Sequence, residues 1–117
     1  MQYCPMMPCL VVLASCFTAQ AAAWQVPESW VRETARLESS HRDGAVGDNG
    51  RSRGRYQIQA ATWRAYSTVP WRTGSHDPVE SRRVCRLILA DCARACRRDG
   101  KVVAFKAARW YYRHGGF

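Results

Sequence analysis

Apolar positions after residue 26 recur at helical spacing in three places, and one short stretch between them breaks that rhythm. The first periodic segment runs from Pro27 to about Ser40. Pro27 suits a first helical turn, and Glu28 and Glu33 sit near the positive end of the helix dipole. Trp30, Val31, Thr34 and Leu37 form the expected inward stripe, and Glu38 falls beside it rather than on the wet face. The second begins at Asp77-Pro78, where Asp77 can cap, Pro78 takes the first helical position and Glu80 completes a capping-box pattern. Val84, Leu87, Ile88, Cys92 and Ala95 supply its buried face, Arg97 and Arg98 favour its C-terminal end, and Gly100 stops it. The third runs from about Lys101 to Arg113, with Val103, Ala107 and Trp110 inward and Gly115 as terminator.

Residues 45–59 read differently. Asp48-Asn49-Gly50 is a strong turn signal, because Asn and Gly tolerate positive φ, and a short antiparallel hairpin is expected around it. Gly47 and Gly54 allow close backbone approach. A short helix starting near Ala60 carries Trp63 and Tyr66, and Ser67 to Ser75 reads as an irregular loop. The expected architecture is mainly α, of the α+β kind: about four helices and one short hairpin beside a cleft.

The first 23 residues belong to a different regime. Cys9 to Phe17 is an apolar run too short to span a bilayer, and Ala21-Ala22-Ala23 fits a signal-peptidase site. No Lys or Arg precedes Ala23, so side chains give the segment no positive charge. Residues 1–23 are expected to be an export signal and 24–117 a single mature domain in the cell envelope, periplasm or medium. Leu13-Ala14-Ser15-Cys16 also resembles a lipobox, which would lipidate Cys16.

Charge narrows the partners. The chain carries 18 basic and 9 acidic residues, a formal +9, and most of the bases are Arg. Such a surface attracts polyanions, and for an exported protein the nearest are anionic envelope polymers. The arginines are scattered, with no nucleic-acid module around them, which argues against a specific nucleic-acid reader. Cys85, Cys92 and Cys96 share one helical stripe with Leu89 and read as small buried apolar residues. They lack the His and carboxylate company of a metal site. His76 and His114 read as a loop and a helix-end histidine. The sequence requires no cofactor, and a monomer is expected.

The chemistry concentrates in residues 38–66. Cleaving a glycosidic bond requires a proton on the leaving oxygen, and a carboxylic acid at a helix end beside apolar residues is suited to hold one. Glu38 has that position. Glu38-Ser39, then Gly54-Arg55-Tyr56-Gln57-Ile58 and Thr62-Trp63, resembles the lysozyme-like superfamily, both bacterial lytic transglycosylases and invertebrate-type lysozymes. The match covers about 30 residues. A weaker likeness covers Ala108 to Gly116, where Tyr111, Tyr112 and His114 stand in place of an aromatic-Asn-Gly element.

The resemblance implies a small lysozyme-like domain acting on the MurNAc–GlcNAc β-1,4 bond of peptidoglycan glycan strands. It implies Glu38 as general acid, Ser39 as a polar support, and Gly54, Tyr56, Gln57, Thr62 and Tyr111 along the glycan subsites. The same residues also admit plain structural roles: a solvated Ser, a strand-pairing Gln, a core Tyr. Asp48 decides the reaction type. Hydrolysis uses a second carboxylate, about 5 Å away for retention or about 6.5–9.5 Å for inversion. A transglycosylase, by the resemblance, needs none, since the sugar's 6-hydroxyl closes an anhydro ring. Asp48 is also simply a good turn residue before Asn-Gly. Asp43 is a weaker second acid. The sequence stops at Phe117, where such relatives continue, so one cleft wall is expected to be thin or supplied by a partner. Two other classes fit part of the evidence: a wall-binding module without activity, and a cationic membrane-active or nucleic-acid-binding protein.

Overall fold

The computed structural model describes residues 24–117, so the expected export segment, the lipobox cysteine and the cleavage site lie outside the described residues. Five helices and a three-stranded antiparallel sheet make up the domain. In chain order they are α1 (Glu28–Ser39), β1 (Val46–Gly47), β2 (Ser52–Arg53), β3 (Ile58–Gln59), α2 (Ala60–Arg64), α3 (Trp71–Gly74), α4 (Pro78–Arg98) and α5 (Phe105–His114). The mainly helical expectation holds. The loop predicted at 67–75 contains the short helix α3, and the hairpin gains a third strand.

Helix α4 organises the rest. Its 21 residues span about 30 Å. Asp77 accepts a bond from the Glu80 backbone N–H at 2.7 Å, so the predicted cap forms. The reciprocal half of the box does not: the Glu80 carboxylate turns instead to the Ser67 hydroxyl and to Arg83. Val84, Cys85, Ile88, Leu89, Cys92, Ala95 and Cys96 are buried along one side, facing Val31 and Ala35 of α1 and Ala108 of α5 across a single core. The three cysteines are free and fully buried, as expected of small apolar residues.

Three expected core residues are not in it. Leu37, Leu87 and Trp110 are 42%, 40% and 51% exposed. At 100° per residue, each falls well outside the arc its neighbours bury. On α5 the inward residues are Ala108 and Tyr111, and Trp110 stacks on His114 at the surface. That helix also starts at Phe105 rather than Lys101.

The sheet is held by register and by side chains from outside it. Val46 pairs with Arg53 and Gly47 with Ser52, and β2 pairs Ser52 with Gln59. Trp71 Nε1 donates to the Ile58 carbonyl at 2.9 Å, and the buried Trp63 donates to Val69 O at 2.7 Å. Gly54 has φ +83°, and a Cβ there would lie 1.8 Å from the Ser75 carbonyl oxygen, so backbone meets backbone at this point.

Candidate active site

Glu38 occupies the penultimate position of α1, on the arc that also buries Thr34 and Ala35. The helix ends because Ser40 and His41 both adopt left-handed backbone, with φ 55° and 64°. Backbone N–H groups of both residues close onto the last turn, on Arg36 O and Ala35 O. The Ser39 hydroxyl fixes this end to the sheet region. It donates to Arg55 O at 2.6 Å, and it accepts the Arg42 backbone N–H at 3.0 Å. Ser39 is buried and does not line the cleft, so its role is to place Glu38, not to touch a ligand.

A cleft of about 450 Å³ opens beside Glu38. Asp48, Ser52, Gln57 and Thr62 form the sheet side, and Tyr112, His114 and Phe117 the α5 side. The structure therefore brings Glu38, Asp48, Gln57 and Thr62 to one cavity, although they span two helices and the hairpin turn. Asp48 sits at the turn with φ 51°, next to Asn49 at 57°, as the turn signal implied. It is exposed, and its Oδ2 accepts the Ser52 hydroxyl at 2.5 Å.

Three residues that the resemblance placed on the subsites lie elsewhere. Gly54 is buried, and its close approach is to Ser75, not to a cleft ligand. Tyr56 is only 4% exposed and belongs to the core; burial raises its phenol pKa. Tyr111 is also buried, its hydroxyl bonded to Asp99. Its neighbour Tyr112 lines the cleft instead and donates to the Tyr56 carbonyl at 2.7 Å. Burial raises the Tyr112 pKa far above the usual phenol value, so it stays a neutral donor. Gln57 reaches the cleft, but its amide nitrogen already bonds Gly54 O at 3.0 Å and Ala45 O at 3.4 Å. It braces the hairpin while forming part of the wall.

Arg109 was not among the sequence-derived candidates. Its Nη1 donates to Glu38 Oε2 at 2.8 Å, and the two side chains are 16% and 13% exposed. Glu38 Oε1 takes no hydrogen bond among the described residues. The carboxylate is thus gripped on one oxygen from α5 and left open on the other. One signal for Arg109 existed in the sequence: it falls beside Ala108 and Tyr112 on the α5 wheel, and a cation that close to a buried arc needs a carboxylate partner. Which carboxylate, 71 residues away, periodicity does not say. Asp43 is drawn off to Arg55 at 2.8 Å and is not a lining residue of the cleft.

Among the described residues no group of three or more His, Cys, Asp or Glu side chains is arranged to hold a metal ion. No helix of the described residues is long and apolar enough to cross a membrane. Comparison of the chain with protein-family models, with curated proteins and with solved structures returns no match.

Proposed function

We propose that this domain cleaves peptidoglycan glycan strands at the MurNAc–GlcNAc β-1,4 bond, with Glu38 as general acid, in a lysozyme-like arrangement. One observation carries the reading: the carboxyl that the motif singles out stands in the wall of a 450 Å³ cleft, with one oxygen anchored by Arg109 and the other without a partner among the described residues. A proton on Oε1 is then the one offered to a glycosidic oxygen, and the Arg109 contact fixes the direction of that offer. Asp48 faces the same cleft from the hairpin turn and is the candidate second carboxylate. Thr62 and Tyr112 add polar wall on either side. In this reading the protein works in the cell envelope, and its excess of arginine holds it near anionic wall polymers.

Clearing of a suspension of purified cell walls tests the assignment. Wild-type protein should clear it and Glu38→Gln should not. Equal clearing by both removes Glu38 from the mechanism. Mass spectrometry of the fragments then separates reducing ends, which require water, from anhydro ends, which do not. Asp48→Asn should abolish hydrolytic product and leave anhydro product intact.

The Arg109 contact also favours a second reading, a glycan-binding module without turnover, because a salt-bridged carboxylate between two helices can serve as a strut of the cleft wall. Wall binding by wild type with no new fragment ends of either kind would select it.

A further inference from the structure

A second concavity, of about 580 Å³, lies on the face of α4 that turns away from the core. Val79, Arg82, Arg83 and Arg86 fall on one side of that helix, within about 100° of one another at 3.6 residues per turn. Arg55 and Tyr56 form the opposite wall. Four guanidiniums therefore line one groove, with the apolar side chains of Pro78 and Val79 beside them. Val79 is 77% exposed and lines this groove beside the arginines.

The arginines are held in place. Glu28 grips both Arg82 and Arg86, Glu80 grips Arg83, and Asp43 grips Arg55. In Arg55, Arg82 and Arg83 these contacts use the Nε and Nη2 edge. The Nη1 groups of these three take no hydrogen-bond partner among the described residues. The donors are thus oriented in advance, which lowers the ordering cost of binding. The four arginines set against Asp43, Glu28 and Glu80 leave the groove only slightly positive.

That balance decides the ligand class. A dense polyphosphate gains little from so small a net charge, whereas a carboxylate can take a two-pronged guanidinium contact while an aliphatic side chain next to it covers Val79 and Pro78. We propose that this groove is a binding site for a short acidic peptide carrying aliphatic side chains, separate from the Glu38 cleft and independent of what that cleft does.

The test is fluorescence anisotropy of the full chain with a labelled hexapeptide of alternating Glu and Leu. Saturable binding is expected, weakened at least about tenfold by Arg82→Gln with Arg83→Gln and by Val79→Asp, but changed less than about twofold by Lys106→Gln, which removes a charge elsewhere on the exposed surface. The Val79 variant keeps the test sound if the arginine pair loosens the fold, since its side chain is exposed. A Gln-Leu peptide should not compete, and inorganic polyphosphate should compete poorly. No binding, equal loss with Lys106→Gln, or stronger competition by polyphosphate with a steep salt dependence would overturn the proposal in favour of general charge attraction or of no site.

Discussion

Breaking the Glu38–Arg109 pair should cost far more than breaking an exposed ion pair, and the structure provides both kinds for comparison. The pair joins the end of α1 to α5 at 2.8 Å, with side chains 13% and 16% exposed. At an effective dielectric near 20 the gross attraction of such charges is about 4 kcal/mol. Desolvation and ordering oppose it, and a net coupling of about 2 kcal/mol is the expected remainder for a bond between charged groups. Glu33–Arg36, with side chains 38% and 58% exposed, is screened by solvent and should couple only weakly. Two double-mutant cycles in urea measure both: Glu38→Gln with Arg109→Met, and Glu33→Gln with Arg36→Met. Arg109→Met alone should lower Tm by roughly 10 °C, since about 1 kcal/mol moves a domain of this size by ~4–8 °C. It should also reduce kcat on wall substrate about tenfold with KM little changed, because the grip aims the carboxyl rather than binding sugar. If the 38–109 coupling is no larger than the 33–36 coupling, the pair is a surface contact and the oriented-acid argument fails.

Acid should destabilise the domain in a defined window. Glu80 is held down to about 2 by Arg83 and Ser67, and Asp99 to about 2 by Arg98 and Tyr111. Both carboxyls sit lower in the folded chain than in the unfolded one, so their contribution is complete above the unfolded value and is lost as pH falls from about 4.5 toward 2. Solvent screening of these surface groups keeps the effect modest, and Glu80→Gln should flatten that limb of a Tm-against-pH curve. Gly54→Ala should be far worse than Gly50→Ala. Both glycines have positive φ, but only at Gly54 does the new methyl meet backbone, so the first should fail to fold while the second loses about 1 kcal/mol in chemical denaturation. Peptides carrying Cys85, Cys92 and Cys96 should resist alkylation in the native protein and label fully in denaturant. Burial lifts the Cys85 thiol well above its usual value and Cys92 to about 12, leaving almost no thiolate.

Elements with local chemistry were legible in the sequence. The Asp77-Pro78 start, the Gly100 and Gly115 stops and the Asp48-Asn49-Gly50 turn all depend on residues within a few positions of one another, and all are present. So is the placing of Glu38 on a buried arc, which three residues of periodicity suffice to indicate. The misplaced residues depend on distant partners. Tyr111 and Tyr112 are adjacent aromatics, and only the docking of α5 against Tyr56 and Asp99 decides which one meets the cleft. Gly54 has the freedom that a ligand contact would need, but Ser75 uses it first. Leu37, Leu87 and Trp110 are apolar without being inward, because hydropathy alone does not say which apolar side chains of a helix meet its neighbours.

The Ser39 hydroxyl sets how motion can enter the cleft. It ties the last turn of α1, the Arg42 amide and the Arg55 carbonyl to one oxygen shielded from water. The bonds it makes join three segments next to Glu38 at one buried point. The Arg42 amide, bonded to that buried oxygen, should exchange its proton slowly, which makes it a single-residue reporter on this junction beside the acid. A ligand that settles in the cleft without touching residue 42 would then register there as slower exchange.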